Sequence, residues 1–269
     1  GVPHHAATGY IAKLLIAGRT VALCEQVEDP KLAKGLVRRE VVRLYTPGTL
    51  LDADLLPSTE SSWLAALYAD QPQPPSVCHP PIALASLDLS TGEFRVSEFD
   101  GPRAASHARD ELWRVEPKEL LTPPPLPPPL AEMIPGLPGC RIGSQERGRF
   151  APSKAQSVLQ KQFSAETLER LHGEISLSGR IVAGAVLGYL HDTQPNTNLG
   201  HIRNIHVQVF SDEMRLDGMT IRNLELIRPL QDAPPGDTAS ATTLLGVLDR
   251  TVTVMGSRLL REWIVRPLI

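Results

Sequence analysis

The chain has 269 residues, with 27 Lys and Arg against 30 Asp and Glu, a formal net charge of −3 and only 4% aromatic residues. That length accommodates two domains or one large one, each able to bury a core, and the near-neutral charge excludes a polycation that binds nucleic acid over its whole surface, so any such surface is local. Three widely spaced cysteines, Cys24, Cys78 and Cys140, match neither a disulfide framework nor a paired-cysteine zinc site, and neither a membrane span nor a secretory leader is visible; a protein of the reducing cytoplasm is expected.

In chain order, the sequence opens on GVPHHA without a methionine and stops on RPLI within a helical pattern, and is read as a piece of a longer protein. Ala7, Ile11, Leu14 and Leu15 recur at helical spacing and predict a helix over residues 6–17, with Gly18 as its left-handed cap. TVALCE predicts a buried strand, residues 31–35 a turn, and RREVVRLYT a second strand. In that strand, with no His pattern beside it, Cys24 is expected to be a packed, inert thiol. Lys31, Lys34, Arg38, Arg39 and Arg43 are opposed only by Glu40. Strand alternation puts Arg39, Val41 and Arg43 on one face and Arg38, Glu40 and Val42 on the other. Two readings stand: a charged edge strand that discourages aggregation, or a surface that contacts phosphates and positions a duplex without reading its bases.

From about residue 60 a second unit begins. SSWLAALYAD, IALASLDLS and GEFRVSEF predict three successive strands, the last two joined by a tight turn at Ser90, Thr91 and Gly92. A helix over residues 102–115 and a short strand KELLT follow. Of 25 prolines, 13 fall in QPQPPSVCHPP and TPPPLPPPLAEMIPGLPG, which excludes both from helix interiors and central strands. The longer segment reads as a stiff surface connection, with a polyproline recognition peptide as the alternative. Helices are predicted over residues 153–163, 164–171 and 179–190, and a strand over residues 204–210. Three antiparallel strands followed by alternating helix and strand is the order of a ribonuclease H-like sheet. Nucleases of that architecture hold two divalent metals on clustered carboxylates, and Asp88 with Glu93 is a candidate start for such a set. Asp88 also precedes a Ser-Thr-Gly turn, where an Asp caps backbone amides instead. Cys78 beside His79 is too small a group to define a metal site. In the last segment Leu244, Leu245, Leu248, Val252, Met255, Leu259 and Trp263 follow helical spacing, with Thr253 as an N-cap, and this stripe is expected to be exposed or collapsed.

Six segments, GVPHHA, VALCEQVEDP, KGLVRREVVRLYTPGT, LDLSTGEF, DGMTIRNLEL and LLGVLDRTVTVMGSRLLREWIVRPL, together resemble the MutS family of bacterial DNA mismatch-repair proteins, in order and over nearly the whole chain. The resemblance implies an α/β fold in which residues 1–49 are the distal part of the mismatch-binding domain, 50–57 a linker, 58–211 a ribonuclease H-like connector domain and 212–269 the start of an all-α core or lever domain. It further implies a protein that binds double-stranded DNA with mismatches, couples recognition to ATP and Mg, recruits MutL and acts as a homodimer. The family reads a mispair with a Phe-x-Glu motif that precedes GVPHHA, and no such motif stands near this N-terminus. Its phosphate loop pattern GxxxxGK[ST] is absent from the 269 residues, so neither catalysis nor a cofactor is expected of this stretch. Candidate DNA contacts are Val2, Pro3, His4 and His5, where His4 replaces the usual Tyr, together with Lys31, Lys34, Arg38, Arg39 and Arg43. The helix SKAQSVLQKQF matches the MutL-docking helix, with Gln156, Ser157 and Gln160 as contact candidates and GRF in place of the Trp usual before it. The competing classes are a metal-dependent nuclease and a stand-alone interaction module.

Overall fold

The computed structural model describes residues 2–28, 37–49, 61–69, 80–125, 130, 131, 134, 137, 139–195, 197–210, 212–230 and 242–269. The predicted turn at residues 31–35 and the Cys78–His79 pair lie outside them.

Helix α1 (His4–Ile16) buries Ile11 and Leu15 against Tyr45 and ends at Gly18, whose φ of 71° lies in the region that a side chain disfavours. Strands β1 (Val21–Gln26) and β2 (Arg39–Tyr45) pair antiparallel beneath it. This unit has its own small apolar cluster, separate from those that follow.

A six-stranded sheet forms the second unit. Strands β3 (Trp63–Ala69), β4 (Ile82–Asp88) and β5 (Glu93–Phe99) run as an antiparallel meander, and after helix α2 (Ala104–Val115) strand β6 (Glu119–Thr122) returns parallel to β3. Strand β7 (Arg141–Ser144) adds parallel to β6 and the two-residue β8 (His206–Val207) to β5, giving the order β7-β6-β3-β4-β5-β8. The order 5-4-1-2-3 of its first five strands is the ribonuclease H-like arrangement that the sequence predicts. Successive residues of β3 point to opposite faces: Leu64 and Ala66 enter one core, and Ala65, Leu67 and Ala69 the other.

The larger core lies under helices α3 (Pro152–Gln162), α4 (Ala165–Glu174) and α5 (Leu177–Thr193). Every residue of α5 from Ile181 to Leu190 is buried, as expected of a helix apolar on all sides. Its first turn is capped by Ser176, and the Glu98 carboxylate accepts from the amides of Ser176 and Gly179 at 3.1 Å, placing negative charge at the positive end of the helix. A Cβ on Gly184 would stand 2.5 Å from the Cα of Ala155, so α3 and α5 pack backbone to backbone. Helices α6 (Gly218–Asn223), α7 (Leu244–Leu248) and α8 (Val254–Val265) complete the chain, capped by Asp217, Thr243 and the expected Thr253. Met255 and Trp263 of the apolar stripe are exposed, as is Val252 before α8.

Two elements differ from expectation. The sequence reading has no strand at Arg141–Ser144, because four residues containing a glycine carry too little pattern to register. The strand expected over residues 204–210 shrinks to His206–Val207 at the sheet edge.

Candidate nucleic-acid interface and domain junctions

The basic strand does not form the regular row that alternation predicts. Val41 pairs with Cys24 and Arg43 with Leu23, which leaves Val42 as an extra residue on β2 and breaks the alternation there. Arg38 and Arg39 are exposed, with Arg38 ion-paired to Glu40. Arg43 instead turns inward: its Nε donates to Gln194 Oε1 at 2.7 Å and its guanidinium lies 4.7 Å above the centre of the Tyr45 ring. Val2 and Pro3 are exposed and lead directly into α1, whose first residues are His4 and His5. Lys31 and Lys34 lie outside the described residues. Cys24 is exposed, which corrects the expectation of a packed thiol. Val21 and Leu23 take the face of β1 that packs against α1, and among the described residues nothing covers the face that bears Ala22 and Cys24.

The segment TPGT joins the first unit to the sheet. The Thr49 amide donates to the Thr46 carbonyl at 3.1 Å and the two threonine hydroxyls are 2.9 Å apart, closing a buried turn. At its tip the Gly48 amide donates to Glu119 Oε2 at 3.4 Å, and a Cβ there would meet the Glu119 Cβ at 2.8 Å, so a larger residue requires the turn to move. Buried Glu119 also accepts from Tyr189 Oη at 2.9 Å and Arg141 at 3.0 Å. Burial first, and then the Glu119 charge, hold the Tyr189 phenol well above its ordinary range, so it remains a donor. Beside this turn Gln194 is saturated: Oε1 accepts from Arg43 and from Thr197 at 3.2 Å, and Nε2 donates to the carbonyls of Leu44 and Thr49 at 3.2 Å each.

The junction with the helical segment is ionic. Arg95 lies between Glu93 and Glu262, 2.5 Å from the latter; Arg258 is 3.6 Å from Asp88; Arg261 and Arg228 converge on Glu116. Arg266 bonds Glu111 and, at 3.1 Å, Glu213, while Arg114 holds Glu111 from the other side at 2.9 Å. Burial disfavours the charge on Arg266 and on Arg95, but the adjacent carboxylates outweigh it and raise both above the usual guanidinium value. The two sides enclose a cavity of about 360 Å³ walled in part by Trp63, Val115, Met255 and Leu259.

Asp88 decides the nuclease reading. Its Oδ1 accepts from the Ser90 amide at 2.9 Å and the Ser90 hydroxyl at 2.7 Å, and its other oxygen faces Arg258. Among the described residues no group of three or more His, Cys, Asp or Glu is placed to hold a metal ion. The carboxylate caps a turn and faces a cation, an arrangement that disfavours metal-dependent cleavage at Asp88. On α3, Gln156, Ser157 and Gln160 are all exposed, and the two glutamines rim a groove of about 250 Å³ floored by Leu159, Leu168, Leu171 and Ile181. The sequence reading misses Gln194, Glu119 and the junction arginines; the available signal was an acid inside the apolar strand ELLT and an amide just past an apolar helix.

The described residues thus fall into a ribonuclease H-like domain, hydrogen-bonded to a small α/β unit on one side and ion-paired to helices on the other. Family comparison agrees: residues 1–54 match MutS domain I, residues 63–203 MutS domain II and residues 219–269 MutS domain III. The chain belongs to the MutS family. It is 38% identical over 270 residues to the DNA mismatch repair protein MutS of Symbiobacterium thermophilum and 37% over 273 residues to that of Alkaliphilus oremlandii, each alignment covering 100% of this chain. With the MutS of Solibacter usitatus it shares 41% identity over 267 residues, 99% of its length. The chain spans 29% of the length of each of these relatives.

Proposed function

We propose that this chain supplies the DNA-facing scaffold and the connector of a cytoplasmic mismatch-recognition protein. The observation that carries this reading is the unbroken order of three MutS domains along one chain. In this reading residues 1–49 lie against a duplex, with Val2, Pro3, His4, His5, Lys31, Lys34, Arg38 and Arg39 near the backbone. Arg43, held by Gln194, acts by fixing the strand that presents them. Residues 58–211 are the connector and 212–269 the start of the lever. The whole protein would bind mismatched DNA as a homodimer, use ATP with Mg in a domain beyond this stretch, and dock MutL on Gln156, Ser157 and Gln160.

Titration of homoduplex and G·T duplex over a range of salt tests the DNA reading. Binding is expected to be weak and non-discriminating and to weaken as salt rises, since each neutralised phosphate contributes about 0.9 to the slope of log K against log salt. Replacing Arg38 and Arg39 together by Ala should flatten that slope by up to about 2. An unchanged slope removes both arginines from the interface. A tenfold preference for the mismatch, about 1.4 kcal/mol, would mean that the residues present read the base pair themselves. Loss of MutL binding on substituting Gln156 and Gln160 by Ala tests the partner face in the whole protein.

A further inference from the structure

We infer that Gln194 is the positioning residue that sets the orientation of the N-terminal unit, residues 4–49, on the connector. The apolar cluster of Ile11, Leu15 and Tyr45 is separate from both clusters of the sheet domain. Among the described residues the two bodies therefore share no continuous core, and polar contacts decide how one sits on the other. Of these, Gln194 makes the densest set. Its side-chain oxygen accepts twice and its side-chain amide donates twice, the full capacity of the group, and it is only 1% exposed. Three of the four bonds reach residues 43–49, and two of those end on backbone carbonyls, so Gln194 holds the chain trace of the unit itself.

The residue is fixed from its own side as well. Its amide donates to the Leu190 carbonyl at 2.7 Å, closing the last turn of buried α5, and its carbonyl accepts from the Thr197 amide at 3.1 Å. Gly48 to Glu119 and the Ser62 hydroxyl to the Pro47 carbonyl, at 3.4 Å each, are longer and weaker contacts across the same boundary, and the Tyr189 hydroxyl also bonds Thr46 there. The strand so held carries Arg39, and through this the inference deepens the DNA reading: the amide sets the angle at which the basic strand is offered to a duplex.

The test is a distance distribution between two spin labels in the 269-residue chain, one on exposed Cys24 and one on a cysteine replacing exposed Lys161 of α3, with Cys78→Ser and Cys140→Ala. The parent should give one narrow peak. Gln194→Ala should broaden it while the thermal midpoint of the connector is held, and Arg43→Met, which removes one of the four bonds, should broaden it less. Asp192→Ala, two residues earlier on the same helix end and exposed, should overlay the parent. If Gln194→Ala lowers the midpoint, the Arg43→Met arm decides. Overlay of the variants on the parent overturns the role of Gln194 whatever happens with DNA. A broadened distribution with unchanged duplex affinity supports the role of Gln194 and counts against the DNA reading alone.

Discussion

Replacing Arg266 by Met keeps the side-chain stem and removes the charge from the most buried part of the ionic junction. Arg266 is 6% exposed at its side chain, Glu111 2% and Glu213 16%. Breaking a buried pair costs about 3–5 kcal/mol because the partner is left charged and dry. Here Arg114 still bonds Glu111, and Gln208 still donates to Glu213, so the lower end of that range, about 3 kcal/mol, is expected. Urea unfolding followed by tryptophan fluorescence reports it, since Trp113 packs against Gly218 and Trp263 lies on α8. The double variant Arg266→Met, Glu213→Gln removes the carboxylate left without a cation while keeping the Arg114–Glu111 pair, and should recover about 1 kcal/mol, the signature of coupling between neighbours. The pH dependence has a definite sign. A group whose folded pKa is raised contributes stability that is complete below its unfolded value and lost only as pH rises through the folded value; for a guanidinium both lie far above neutrality, so Arg266 itself should not loosen the junction between pH 7 and about 10. A loss below about 1 kcal/mol in Arg266→Met would put the pair in the class of surface salt bridges and refute the reasoning.

Gly184→Ala should destabilise by about 1–3 kcal/mol or more, because the added methyl meets the backbone of Ala155 rather than a movable side-chain tip; an unchanged midpoint in thermal unfolding would deny the close approach of α3 and α5. Glu116 ends α2 at a φ of 47°, so Glu116→Gly, which loses the same two arginine partners as Glu116→Ala, should be more stable than the alanine variant by about 1 kcal/mol in the same assay. Mass mapping after brief maleimide treatment at pH 8 should find Cys24 modified well before Cys140, whose thiol burial and then the Glu119 charge push up to about 12, leaving almost no thiolate; equal rates would contradict that placement.

The sheet was legible because β3 and β4 are short apolar runs and β5 alternates apolar with polar residues, and Asp88 announced its turn by the Ser-Thr-Gly that follows. The basic strand was legible in composition and only half legible in geometry. Alternation assumes unbroken pairing, and the extra residue at Val42 is a property of the partner strand's register, which no local pattern encodes. Cys24 misled for a related reason: an apolar strand predicts burial only if a second layer covers both its faces. Gln194 and Glu119 were invisible as a pair, since the contacts that give them meaning join positions 71 to 151 residues apart.

The close seam between α3 and α5 bears on how far a disturbance travels. Helix α5 has 17 residues and is roughly 25 Å long. At Gly184 the contact is backbone to backbone, so no side chain stands between the two helices at that point to absorb a displacement by changing rotamer. A load on α3 at that point therefore meets the backbone of α5 directly, and the C-terminal cap of α5 is Gln194.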